Sequence, residues 1–487
     1  MRVDNRRLRI LQVATSDLTG GAERSAINLH RAFRAMGHDS RLAVGMKRTA
    51  DPDVLEIPNE QHRNAWVRWW NGFREEHGAT LGRIRGTGRL TSLLRECGEP
   101  IRLLNEQLGI EEFAFPGTDY LLDLTPDTPD ILHCHNLHGG YFDLRALPRL
   151  SERVPTILNL RDAWLLSGHC AYSFACERWK LGCGKCPDLT LYPAVRRDST
   201  AYNWRRKQNI FRRSKVYVTT ASQWLMDRVQ ESMLTPALIE SRVIPNGVDT
   251  SSFFPGNQAD ARAALGIPGN ARVLMFASNG IKANVWKDYR ALNEAIRILG
   301  CSGASRELVL LAVGETAPAE RIGSAEIRFV PFQKEPSALA RYYRAADIYV
   351  HAARIESFGN VLLEARACGV PVVAMAVGGI PEHMKSLDCE HSVAGVRVFP
   401  VSEATGILTK EGSGEALAQS VLFLLEHPDI VRKLGENAVR DIKDNFQLSI
   451  QAQRFLEWYR DILTTQAANA SRSAATSVSE SRNGTLQ

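Results

Sequence analysis

Short unbroken apolar runs recur along the chain, spaced so that a helix fits between them. They fall at residues 9–14, 40–44, 130–134, 155–160 and 215–221 in the first half. In the second half they fall at 271–277, 308–313, 327–330, 347–351 and 370–374. Runs without alternation are strands covered on both faces. Between the first two, residues 25–36 form an amphipathic pattern with Ile27, Leu29 and Phe33 inward, and Gly37 closes it. Strand, glycine turn, helix and strand in that order open a doubly wound sheet. The pattern predicts an α/β protein of two doubly wound, Rossmann-like domains facing a cleft. The expected divisions are 1–225 for the first domain, 226–445 for the second, and 446–464 for a last helix. Residues 465–487, rich in Ser, Ala and Asn, read as a disordered tail.

Composition narrows this little. A chain of 487 residues is too long for one ordinary core. No apolar run is long enough to span a bilayer, and the first residues lack the apolar core of a signal peptide, so the cytoplasm is the expected compartment. The net charge of +6 is mild. The basic stretch 196–215 and the nearby cysteines raise a zinc-dependent nucleic-acid-binding protein as a rival. Without a base-stacking platform, a solvated helix face is the commoner reading and no nucleic-acid partner is expected. Trp66, Trp69 and Trp70 sit among Arg63, Arg68 and Arg74, with more basic residues at 81–90. Such a segment suits the inner face of an anionic membrane. Three tryptophans also bury well, and packing over the sheet is slightly preferred.

Candidate chemistry concentrates at residues 356–373. Gly359 precedes a helical segment, so free N–H groups open directly after a glycine and suit a phosphate. Glu364, one turn beyond Asn360, leans back toward the same mouth. Glu356 and Glu364 would be repelled by phosphate and suit hydroxyls. A plain strand–helix turn with two surface glutamates is the bland alternative. Gly20 and Gly21 mark a tight turn after the first strand. His133, His135 and His138 near a strand's carboxyl end read as hydrogen-bonding groups of a cleft rather than metal ligands. Cys170, Cys176, Cys183 and Cys186 supply four thiols within one loop, which suits a structural zinc with no open position. Disulfides or reduced packed thiols are the alternatives.

Glu356 and Glu364 stand as E-x7-E within ESFGNVLLEARACGVPVV. GGAE at 20–23, VIPNGVD at 243–249 and GGIPE at 378–382 accompany them in order. Together these motifs resemble the family 4 retaining glycosyltransferases of GT-B fold, over most of residues 8–445. The cysteine loop is similar to a bacterial exopolysaccharide and colanic-acid-type subset. The resemblance implies sugar transfer, with retention, from a nucleoside diphosphate sugar to a glycan or lipid-linked glycan acceptor, in cell-surface polysaccharide synthesis. It implies that Glu356 holds the donor sugar and Glu364 the ribose. Lys287, Lys282 and the Ser357–Phe358–Gly359–Asn360 turn would hold phosphate, and backbone near Val330 the base. Gly20 and Gly21 would touch the donor phosphate or the acceptor. Arg161 and Asp162 stand where many relatives carry His-Asp. A guanidinium does not replace a neutral imidazole, which puts a His-dependent step in doubt and leaves a non-catalytic sugar-nucleotide-binding relative as the alternative. No cofactor is implied for catalysis, since lysines can neutralise the diphosphate.

Overall fold

The computed structural model describes residues 6–18, 20–72, 99–301 and 307–483. The basic stretch 81–90 lies outside them. The chain forms two units. One comprises Met1–Thr220, Met226–Val243 and Ala452–Gln487, and the other Ala221–Leu225 and Ile244–Gln451. Apart from the short segment Ala221–Leu225, the second unit therefore starts at Ile244 rather than at residue 226. The strand at Leu238–Val243 pairs into the first sheet, and that pairing keeps residues 226–243 with it.

The first unit holds a parallel seven-stranded sheet. In chain order its strands are β1 (Arg9–Ser16), β2 (Asp39–Met46), β3 (Val54–Glu56), β4 (Ile131–His135), β5 (Thr156–Leu160), β6 (Val216–Thr220) and β7 (Leu238–Val243). Their spatial order is β3-β2-β1-β4-β5-β6-β7. Helix α1 (Gly21–Ala35) begins at Gly21 rather than Ser25, so Glu23 falls in its first turn. Gly20, at φ +88°, makes the turn from β1. β4 is buried along its whole length. His133 and His135 are thus core residues rather than cleft groups. Their rings stack at 4.3 Å. His133 lies 2.5 Å from the Tyr459 hydroxyl, and His135 lies 2.9 Å from the Gln12 side chain.

The second unit holds nine strands in the order β10-β11-β9-β8-β12-β13-β16-β14-β15. These are β8 (Arg272–Ala277), β9 (Leu308–Val313), β10 (Glu320–Ile322), β11 (Ala325–Val330), β12 (Ile348–His351), β13 (Val372–Met375), β14 (Ser386–Leu387), β15 (Val398–Phe399) and β16 (Gly406–Thr409). All pairings are parallel except β10 with β11. Two doubly wound α/β units are the Rossmann-like architecture that the apolar runs predict.

Three expectations fail for physical reasons. The last helix, α6 (Leu448–Asn483), continues through most of the expected disordered tail, where repeated alanines favour helix. Trp66 and Trp69 are 56% and 60% exposed rather than buried. Helix 65–72 turns Val67 inward instead. The basic helix α2 (Thr200–Phe211) is not a uniformly solvated face. Lys207 is fully buried, with its ammonium donating to Glu111, Trp164 O and Ser167 O.

Candidate functional site

In the second unit, β12 ends at His351 and the chain runs through Glu356 into helix α5 (Asn360–Ala367). Gly359 caps that helix at φ +84°. The turn is held from two sides. The Gly379 N–H donates to the Glu356 carbonyl at 3.0 Å. A Cβ on Gly378 or Gly379 would strike the Glu356 or Ser357 carbonyl. Asn246 donates to the Asn360 side-chain oxygen at 2.8 Å, which ties the IPNG turn to the helix mouth. The Phe358 carbonyl lies 2.6 Å from His383 Nε2, so Phe358 is buried scaffold.

Lys287 bridges to Ala353 through its backbone and so reaches the end of β12. Its ammonium lies 2.6 Å from Glu356 Oε2, with side chains 11% and 18% exposed. His351 Nε2 lies 3.7 Å from the same oxygen. Burial opposes the charge on Glu356. The Lys287 charge and the His351 contact overcome it and hold the carboxyl well below the usual range. Burial, with Lys287, pushes His351 down to about 4. Glu364 is 8% exposed, and the Tyr343 hydroxyl donates to its Oε2 at 2.9 Å. A cavity of about 720 Å³ beside this cluster is lined by Lys282, Lys287, Arg290 and Arg354, with Asn284 and Tyr289. Four cations around a cavity of ligand size suit a polyanion.

In the first unit, the carboxyl ends of β1, β4 and β5 bring a second polar group together. The Asp162 carboxylate accepts from His138 Nε2 at 2.7 Å and from Asn136 at 3.2 Å. Its other oxygen accepts from the Trp164 N–H at 3.0 Å. Burial opposes charge on His138, but the Asp162 carboxylate, aided by Glu23, raises its pKa above the ordinary value. Burial raises the Glu23 pKa. Arg161, half-buried beside them, is pushed down to about 10 by burial and stays charged.

Residues 307–441 match the family model described as glycosyl transferases group 1. A D-inositol 3-phosphate glycosyltransferase of Segniliparus rotundus is 32% identical over 229 residues, 45% of this chain and 47% of that protein. The chain thus spans about half the length of this relative. WcaC of Escherichia coli (strain K12), named for colanic acid biosynthesis, is 24% identical over 68% of this chain and 75% of its own. Anabaena HepE, solved in complex with UDP-glucose, superposes with a TM-score of 0.55 at 17% identity, covering 93% of this chain and 99% of that one. At that identity the likeness shows the GT-B fold.

The second unit places Ser357, Phe358, Gly359, Asn360 and Glu364 around one helix mouth, with Lys287 and Glu356 paired just before it. Lys282 lines the same cavity but is paired there. Its ammonium lies 2.6 Å from Glu320 and 4.4 Å over the Phe329 ring. The Val330 carbonyl already accepts from the Gly314 and Glu315 N–H groups. Sequence reasoning passed over His351, Arg290 and Arg354. His351 ends an apolar strand and reads as core, and isolated arginines carry no motif. Among the described residues, no group of three or more His, Cys, Asp or Glu gathers as a metal ion requires. Of the four loop thiols, Cys183 accepts from the Gly168 N–H at 3.3 Å, and Cys186 lies 3.3 Å from His169 Nε2. No helix of the described residues is long and apolar enough to cross a membrane.

Proposed function

We propose that this protein transfers a sugar from a nucleoside diphosphate sugar to a saccharide or lipid-linked saccharide acceptor. The anomeric configuration would be retained, and the product would serve cell-surface polysaccharide. The observation that carries the reading is the Lys287–Glu356–His351 cluster at the mouth of α5, beside a cavity lined by cations. The UDP-glucose bound by HepE and the name of WcaC support the ligand class and the setting.

Each group has a role that follows from its surroundings. Glu356 stays ionised, and after pairing with Lys287 it retains lone pairs for donor sugar hydroxyls. Lys287, with Arg290 and Arg354 in the same cavity, offsets the charge that builds on the departing diphosphate. The free N–H groups opening α5 take a phosphate oxygen, and Glu364, oriented by Tyr343, takes the ribose. No side chain of this cluster is suited to attack the anomeric carbon, because Glu356 is neutralised by Lys287. The transition state is oxocarbenium-like. The acceptor attacks from the face the diphosphate leaves, and a diphosphate oxygen takes its proton.

A panel of nucleoside diphosphate sugars, followed by thermal unfolding of the wild type and of Glu364→Ala, tests the reading. One donor should raise the melting temperature, and the shift should shrink in the variant. Folded protein that no donor stabilises would overturn the reading. A donor that binds but shows no turnover with any acceptor would point to a non-catalytic relative.

A further inference from the structure

We propose that His138, held by Asp162, is a sugar-hydroxyl-binding residue of the first unit that receives a hydroxyl of the acceptor. The proposal rests on the transferase reading above. β4 and β5 are neighbours in a parallel sheet, with β1 on the other side of β4. Ligands of such sheets bind outside the carboxyl ends of the strands. His138 follows β4, Asp162 follows β5, and Gly20 and Glu23 follow β1.

The geometry fixes the imidazole. Asp162 is held by the Trp164 N–H on one oxygen and by Asn136 on the other, and that second oxygen also accepts from His138 Nε2 at 2.7 Å. In the neutral ring, a carboxylate clamped in this way selects the tautomer with its proton on Nε2. Nδ1 is then left as an acceptor. It is buried and has no hydrogen-bond partner among the described residues, which is an unfavourable state for a ring nitrogen. The rings of Trp164 and Tyr192 flank the imidazole at 5.6 and 5.7 Å. Tyr192 is itself nearly half exposed.

The chemistry of the group selects its ligand. Two carboxylates, Glu23 and Asp162, outnumber the one guanidinium of Arg161 beside them and disfavour a phosphate. Glu23 folds back over Gly20, where any side chain would strike its carboxylate. The adjoining cavity, lined by Asn136, His138, Asn159 and Asp162 among others, is about 10 Å³. That is room for one hydroxyl or water and not for a phosphate or a ring. A sugar hydroxyl donates to Nδ1 while its ring carbons lie along the aromatic side chains. The contact is a hydrogen bond, and no proton changes hands.

Histidine-15N-labelled full-length protein, titrated with methyl glucosides, galactosides and mannosides of both anomers, reads this directly. At least one glycoside should move the His138 imidazole resonances saturably. Half-saturation should rise about three- to ten-fold in His138→Phe, the loss of one hydrogen bond, and recover in part in His138→Gln. Near-ultraviolet circular dichroism and thermal unfolding of both variants check that they fold. His138 resonances that no glycoside moves would overturn the proposal and leave the pair as a strut for residues 162–166, with an internal water as the only guest. Equal affinities in wild type and His138→Phe would do the same. Free glycosides need no donor, so failure of donor binding would sink the transferase reading without deciding this one.

Discussion

Lys287 and Glu356 neutralise each other in a setting where neither charge would be tolerated alone. Removing one partner leaves the other buried and unpaired, a large penalty when burial is complete. Their side chains keep 11% and 18% of their exposure, so the expected cost of Lys287→Ala is about 1–3 kcal/mol rather than the full buried-pair value. Glu356→Gln keeps a hydrogen-bonding shape and should cost less. Both should abolish donor stabilisation. Urea unfolding with and without the donor separates the two effects, and a Lys287→Ala protein of wild-type stability would show that the pair is looser than its 2.6 Å contact. At this scale the sequence was legible where a residue sat in a motif. Glu356, Glu364 and Gly359 could be named because the E-x7-E motif and its neighbours carry a family resemblance, and Lys287 by that resemblance alone. Lys282 was named by position alone; it lines the cavity with Lys287, and its ammonium also pairs with Glu320 of the β10–β11 hairpin. His138 was visible as one histidine among three. Only the fold separates it from His133 and His135, which point into the sheet.

Elements were legible in proportion to their regularity. Buried parallel strands read as continuous apolar runs, and every run named in the sequence corresponds to a strand. Residues 50–72, 99–120 and 162–199 carry little periodicity, because short helices and turns there are held by side chains from distant segments. Lys207 tying Glu111 to Trp164 and Ser167 is an example. The turn at Gly378–Gly379 shows how an element can depend on an absent side chain. Gly378 lies at φ +56°, and a Cβ there would meet the Glu356 carbonyl. Gly378→Ala should therefore cost about 1–3 kcal/mol and weaken donor binding, because relief of the clash displaces the Glu356 turn. Thermal shift with the donor checks it, and unchanged binding would show the two turns to be independent. The cysteine loop carries a separate proposal, in which four thiols that do not gather as ligands in this structure close on a metal. Three non-glycine residues, Phe174, Cys183 and Lys185, hold positive φ there, a loop shape that four thiolates around zinc would pin. Metal analysis of purified protein should find about one zinc per chain under that proposal, and metal-free protein with four reactive thiols would remove it.

Across the whole molecule, the first unit depends on the C-terminal helix and on neutral histidines. Its sheet contains His133 and His135, both fully buried and held well below their ordinary pKa by burial; for His133 the value is about 3. The unfolded chain binds those protons near pH 6.5, so stability is fully present above that pH and is lost as pH falls toward 3. A histidine of this kind costs about 2 kcal/mol of stability between pH 7 and pH 5. Melting temperature should therefore fall over that range, and a flat profile would mean that Tyr459 and Gln12 do not hold the pair neutral. The same network makes the truncation limit predictable. From α6, Phe455, Trp458, Tyr459 and Ile462 are all buried, and Trp458 also donates to Glu240 at 3.0 Å. The loss of one such aromatic costs about 3–5 kcal/mol, against a total stability of about 5–15 kcal/mol for a domain. A chain ending at Thr464 keeps all four and should melt within a few degrees of the full protein. A chain ending at Gln451 loses all four, together with the Tyr459 contact to His133, and should leave the first unit unfolded. Trp458→Ala is the intermediate case, expected to be folded but about 3–5 kcal/mol less stable. If the chain ending at Gln451 kept the near-ultraviolet signal of the first unit, the helix would be an accessory, and the histidine network would have to close without it.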